Sequence, residues 1–323
     1  MLLYGLEHLR AAGIREVAVV LGPVKEGVVE ALGDGSKYGV DITYINQPEP
    51  KGLAHAVGLS EDYMNGELFV MYLGDNLLKQ GVHDFVNSFN QRKLDCVIGV
   101  TPVKDPSSYG VAEMDGNRIV KLVEKPKKPK SNLALIGVYV FGPAIFDAVK
   151  KIKPSWRGEL EVTDAIQTLV NDGKRVEVQH VIGWWKDTGK PDDLLEANQL
   201  VLTDQHTRIE GILSKETRIS GNVVIESGSK TIGAVKIRGP VIIGRNCAIG
   251  PDVDLGPYTS IGDDCGLSRT KIENSIVMKG SRIESNKRIV DSLIGSFSTI
   301  LNGDRSRAKG CKLIIGERSF AQI

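Results

Sequence analysis

The sequence predicts a two-domain protein. Residues 1–203 are expected to form a doubly wound, mostly parallel α/β sheet, and residues 204–323 a left-handed parallel β-helix of hexapeptide repeats. Three observations carry this expectation. Up to about residue 200, β-branched apolar runs alternate with segments of helical period. Beyond that point an aliphatic residue returns every six positions. A length of 323 residues also exceeds one comfortable core and suits two domains.

In the first half, strands are expected at Glu16–Leu21, Val40–Asn46, Glu67–Leu73, Asp95–Val103 and Leu133–Phe141, each bounded by Gly, Asp or Pro. Helices are expected at Leu2–Ala12, Val24–Leu32, Leu53–Asp62, Val82–Arg92 and Pro143–Ile152. Near-continuous apolar strands alternating with helices imply a sheet covered on both faces. Ligands of such sheets bind at the carboxyl ends of the strands, so the polar residues that directly follow a strand are the candidates for chemistry.

In the second half, Ile219, Ile225, Ile237, Ile243, Ile249, Leu255, Ile261 and Leu267 keep one six-residue register, with Thr231 as the exception. A Gly follows at 244, 250, 256 and 262. One aliphatic side chain per face, turned inward, with small residues near the corners, is the pattern of a β-helix coil. Glu273 breaks the register. Ile283, Ile289, Ile294 and Ile300 predict further coils after an irregular insertion.

Composition narrows the function classes. With 41% apolar residues, 25% charged residues and a net charge of +1, the chain carries no basic field for nucleic acid. The longest uncharged stretch, Ser131–Phe146, is too short to span a bilayer, and Glu7, His8 and Arg10 break any leader pattern. Cys96, Cys247, Cys265 and Cys311 lie far apart with no CxxC pair, so a reduced, cytoplasmic protein is expected. The exposed faces of a β-helix predict a homo-oligomer.

Gly74-Asp75-Asn76 follows an apolar strand, and Asp187 follows the strand Arg175–Ile182 within Gly183-Trp184-Trp185-Lys186-Asp187. Either Asp alone reads equally as a turn residue. Together, two carboxylates from separate strand ends suit one Mg²⁺ that also carries substrate phosphates. Gln47 ends another strand, and Gly52 opens a helix whose amides can meet a base or a phosphate. Tyr109-Gly110-Val111 precedes a short strand. Glu124-Lys125 places an acceptor for sugar hydroxyls beside an ammonium for a phosphate. Glu159, in Gly158-Glu159-Leu160-Glu161-Val162-Thr163-Asp164, adds a further acceptor near a helix start.

These segments, spelled LGDN, YGV, EKP, RGELEVTD, WWKDTG and KPDDLLEAN in this order, resemble the sugar-1-phosphate nucleotidylyltransferases. They are most similar to long-form glucose-1-phosphate thymidylyltransferases with a C-terminal β-helix. The resemblance implies a Rossmann-like nucleotidyltransferase domain and one displacement, in which the sugar-1-phosphate oxygen attacks the α-phosphate of dTTP. Glucose 1-phosphate then yields dTDP-glucose and pyrophosphate. By the same resemblance Asp75 and Asp187 hold Mg²⁺, Lys125 binds the sugar phosphate, and Gln47 and Gly52 read the thymine edge. Tyr109, Gly110, Glu124 and Glu159 line the sugar side.

The family's opening strand, its GGxGTRLxPxT loop and a following Pro-Lys pair have no counterpart here. Met1-Leu2-Leu3-Tyr4-Gly5 looks like the helix that comes after them, so a segment of roughly 25–30 residues is expected to be missing. That loop supplies donors to the triphosphate, and losing one such donor costs on the order of 100-fold in rate. Losing the whole set is expected to leave the chain by itself with little measurable catalysis, and with unpaired strand edges. A non-catalytic sugar-nucleotide binder is the second reading. A bifunctional pyrophosphorylase and acetyltransferase is the third, disfavoured because His8, His55, His83, His180 and His206 leave no histidine base in the β-helix.

Overall fold

The structure, a computed structural model, describes residues 1–23, 25–302 and 311–322. The chain divides into two compact units, Met1–Asp187 and Thr188–Ile323. No helix among the described residues is long and apolar enough to cross a membrane.

The first unit opens with α1 (Leu2–Ala11), β1 (Glu16–Leu21), α2 (Glu26–Leu32) and β2 (Asp41–Asn46). The expected start of the second helix, Val24, lies outside the described residues. Next come α3 (Leu53–Leu59), α4 (Glu61–Met64), β3 (Phe69–Tyr72), β4 (Asn76–Leu78), α5 (His83–Arg92) and β5 (Cys96–Pro102). The hairpin β6 (Gly110–Asp115) and β7 (Arg118–Glu124) precedes β8 (Leu133–Phe141), α6 (Ala144–Lys151) and α7 (Val162–Asn171). The strands β9 (Val176–His180) and β10 (Trp185–Asp187) complete the unit.

The main sheet runs β7-β6-β8-β5-β9, with β3 also paired to β8. Strands β3, β5 and β9 share one direction, since β5 pairs parallel with β9 while β3 and β5 both pair antiparallel with β8. The reversal of β8 refines the expected parallel sheet. The chain leaves β5, makes the β6–β7 hairpin and returns from the same end, and a parallel return would need a crossover helix. The pair β1–β2 is parallel and separate. One edge each of β1 and β3 therefore has no strand partner among the described residues.

Both faces of the sheet are covered. Along β8, Tyr139 and Phe141 enter a core with α3, α6 and α7, whereas Ile136, Val138 and Val140 enter another with α1 and α5. Consecutive side chains of a strand alternate between faces, so one apolar run serves two cores.

The second unit begins with α8 (Pro191–Thr203) and continues as a parallel β-helix of three ladders. The contact boundary precedes the 203/204 division expected from the sequence, because α8 binds the coils. Asn198 donates from Nδ2 to Tyr258 O (2.9 Å) and accepts from Ser260 Oγ (2.5 Å), and Gln199 donates to Asn274 Oδ1 (2.8 Å). The eight aliphatic residues of the six-residue register face the interior, all buried except the half-buried Ile219 of the first coil. Ile219 stacks on Ile237 and Ile237 on Leu255, so each coil spends 18 residues on three faces.

The expected insertion after Leu267 is instead a shortening. Ile272 stacks on Leu255 17 residues later, and Val277 on Ile261 16 residues later. Ile283, Ile289, Ile294 and Ile300 then continue the interior columns. Cys247 and Cys265 are buried in that core as small side chains, their thiols turned to the carbonyls of Gly262 (3.1 Å) and Met278 (3.3 Å).

Candidate functional site

All nine residues singled out in the sequence fall in the first unit, and a continuous chain of contacts joins them. It starts at the carboxyl end of β2. Gln47 Nε2 donates to Gly52 O (3.2 Å) and lies 3.0 Å from His55 Nδ1. Gly52 sits at φ 101°, where a Cβ would lie 2.5 Å from Leu160 O. Glycine is required twice there, by the left-handed backbone and by the close strand-like approach of Leu160. That approach is hydrogen-bonded on both sides, from Leu160 N to Lys51 O (2.7 Å) and from Ala54 N to Leu160 O (3.0 Å).

The neighbouring Glu159 is held by Arg157 (2.8 Å), which also reaches Glu161 (3.3 Å) and, at 4.0 Å, Glu124. Glu124 ends β7 directly opposite Gly110 of β6 and accepts a short hydrogen bond from Thr163 Oγ1. Burial raises its carboxyl above the ordinary range. The Thr163 bond opposes the rise, Glu161 adds to it, and Lys125 and Arg157 oppose it. Lys125 turns out of the strand at φ 41° while its N–H donates to Tyr109 O (3.0 Å). A non-glycine residue in this region marks a chain redirected at some cost. Lys125 is half-buried, and its ammonium has no ion-pair or hydrogen-bond partner among the described residues.

Tyr109 packs edge-on against Trp185, with ring centroids 5.3 Å apart. The Trp185 indole donates to Asn76 Oδ1 (2.6 Å) and Ile136 O (3.1 Å), and Asn76 Nδ2 donates to Asp75 Oδ1 (2.9 Å). Asn76 pairs with Asp187 across β4 and β10, which places the two expected carboxylates at adjoining positions. Gly137, at φ 72° in β8, makes room for this arrangement: a Cβ there would meet Leu73 at 2.7 Å and Asn76 Nδ2 at 3.1 Å. No group of three or more metal-binding side chains occurs among the described residues. Two hard oxygen donors nevertheless fit Mg²⁺, which keeps waters and takes phosphate oxygens for the rest of its shell.

His55, Asn76 and Arg157 are structural members of the site that sequence reasoning left without a role, while it gives Thr163 only a helix-capping role and Trp185 only packing beside the strand that carries Asp187. Arg157 and Thr163 lie inside the RGELEVTD segment, and their signal was the acceptor-rich spelling around them. The bond from Trp185 to Asn76 spans 109 positions of sequence, so no local spacing encodes it.

Comparison with known proteins places the chain in a family. The nucleotidyl transferase family model matches residues 1–204, and the GMPPB C-terminal domain model matches residues 231–318. The low-salt glycan biosynthesis nucleotidyltransferase Agl11 of Haloferax volcanii is 48% identical over 99% of this chain and 90% of its own length. A glucose-1-phosphate thymidylyltransferase of Streptomyces antibioticus is 47% identical over 100% of this chain and 90% of its own. Among solved structures, UDP-glucose pyrophosphorylase complexed with UDP-glucose superposes with a TM-score of 0.54 at 26% identity, over 60% of this chain and 83% of that one. With strand-end carboxylates, a Glu-Lys pair and full-length relatives in agreement, the chain belongs to the nucleotidyl transferase family, as a sugar-1-phosphate nucleotidylyltransferase.

Proposed function

We propose that this protein transfers a thymidylyl group from dTTP to glucose 1-phosphate, giving dTDP-glucose and pyrophosphate. The observation that carries the reading is the half-buried Lys125, whose ammonium has no hydrogen bond or ion pair among the described residues, beside Glu124, which is joined through Arg157 and Glu159 to the Gly52 and Gln47 segment. A cation of this kind fits a phosphate, and flanking carboxylates fit sugar hydroxyls. The thymidylyltransferase names of full-length relatives at 47% and 41% identity support the choice of nucleotide and sugar.

In this mechanism Lys125 holds the sugar phosphate, and Glu124 and Glu159 orient the hexose by accepting from its hydroxyls. Gln47 and Gly52 seat the base. Asp75 and Asp187 would hold Mg²⁺, which when bound neutralises charge on the phosphates. A sugar-phosphate oxygen forms the new bond to the α-phosphorus. The bond from that phosphorus to the bridging oxygen breaks, and pyrophosphate departs with the electron pair. Positioning and charge neutralisation supply the acceleration, with no covalent intermediate on the protein.

The test is pyrophosphate release with dTTP, UTP, dCTP and GTP against glucose 1-phosphate in the presence of Mg²⁺. The expected result is fastest release with dTTP. Faster turnover of UTP would overturn the nucleotide assignment. Sugar-nucleotide binding without release from any of the four would instead support a binding protein.

A further inference from the structure

We propose that His55 is a specificity-determining positioning residue, which locks the Gln47 amide in one orientation so that the site accepts imide bases and rejects cytosine. This rests on the reading of Gln47 as the residue that meets the nucleobase. Gly52 O can only accept a hydrogen bond, so the Gln47 atom 3.2 Å from it is the amide nitrogen. The same nitrogen lies 3.0 Å from His55 Nδ1. That ring nitrogen therefore accepts, and the imidazole proton sits on Nε2. Both hydrogens of the Gln47 amide are then spent inside the protein. Its Oε1 has no partner among the described residues and is the group left for a ligand.

An unconstrained Gln reads two pyrimidine edges equally well, because it can flip. In one orientation it accepts from the N3–H of thymine or uracil and donates to O4. In the other it accepts from the cytosine amine and donates to cytosine N3. The second arrangement needs a free amide hydrogen. Flipping Gln47 to supply one would turn Oε1 toward both the Gly52 carbonyl and the His55 lone pair, two acceptors facing a third. Only the lone acceptor remains for the base, and it suits a ring N–H. Discrimination thus arises as much from the cost imposed on cytosine as from attraction to thymine.

The test is the ratio of dissociation constants for dCTP and dTTP, measured with Mg²⁺ by calorimetry on the full chain. His55→Leu removes the acceptor while keeping bulk, and the ratio is expected to fall about tenfold, the value of one such hydrogen bond. His55→Asn places Oδ1 where Nδ1 was and is expected to restore the native ratio. A merely structural role for His55 would not be rescued in this way. A native ratio in His55→Leu, or an Asn variant that falls as far as the Leu variant, overturns the proposal. Gln47→Ala separates the two layers of the argument. If its ratio stays native, Gln47 does not read the base and both readings fail. If Gln47→Ala loses selectivity while His55→Leu keeps it, the function of Gln47 stands and only the lock is lost.

Discussion

Burial of the Glu124 carboxyl beside Thr163 raises its pKa, so the ionised form proposed to serve the sugar is held at a cost to the fold. The sign follows from linkage. A carboxyl whose folded pKa lies above its ordinary value near 4.5 contributes fully to stability below that value, and the contribution is lost as pH rises through the raised one. Glu124→Gln is therefore expected to melt above the native protein at about pH 7.5, and to lose that advantage at about pH 4. Its KM for the sugar phosphate should rise at the same time. Thermal melts at the two pH values check the first part, and sugar-phosphate titrations check the second. Lys125→Ala should weaken sugar-phosphate binding and lower kcat/KM by on the order of 100-fold with little change in melting, since the side chain makes no hydrogen bond or ion pair among the described residues and only a minor Coulombic interaction with Glu124. Gly52→Ala behaves in the opposite way. Its Cβ meets the Leu160 backbone at a positive φ, so a stability loss of about 1–3 kcal/mol in urea unfolding should accompany loss of nucleotide binding.

At the scale of elements, a β-helix makes its core by stacking like on like, and this regularity made it legible. Ile225, Ile243 and Ile261 recur in one register because each coil repeats the same face. Ile243 is fully buried in that column, so Ile243→Ala should cost about 2–5 kcal/mol. Denaturation followed by tryptophan fluorescence offers a control, since Trp156, Trp184 and Trp185 all lie in the first unit. A change in β-helix circular dichroism without a matching fluorescence change locates the damage. The shortened coils after Leu267 escaped a fixed six-residue template because corners can lose residues while the interior columns continue. In the first unit, strand runs such as Glu16–Leu21 and Leu133–Phe141 matched the structure, and in Leu133–Phe141 the apolar continuity reflects two buried faces. The reversed direction of β8 was not legible, since period and composition are the same for parallel and antiparallel partners. In the candidate site, strand-end residues such as Asp75, Gln47 and Lys125 were singled out by position. His55, Arg157 and Trp185 act through contacts made only after folding, and no spacing announces them.

For the molecule as a whole, the ownership of α8 decides where the chain can be divided. The outward-facing column Val224, Ile242, Ser260, Ile276 and Leu293 of one ladder is mostly apolar, and Val224 and Leu293 are buried although they lie outside the interior core. The helix lies against this column. Asn198 bonds to Ser260 within that column, Leu195 and Leu202 are buried, and Lys312 pairs with Asp192 at the start of the helix (2.6 Å). A surface ion pair contributes little, so apolar contact supplies most of the attraction that holds the helix on the coils. A fragment beginning at Thr188 should therefore fold as a soluble β-helix. One beginning at Asp204 exposes the column, and an apolar strip of this kind drives association. Size-exclusion chromatography of the two fragments across a concentration series checks this, with concentration-dependent growth expected only for the shorter one. Equal behaviour would mean that the boundary read from the sequence at 203/204 serves the fold as well as the one at 187/188, and that α8 is dispensable to the β-helix it lies on.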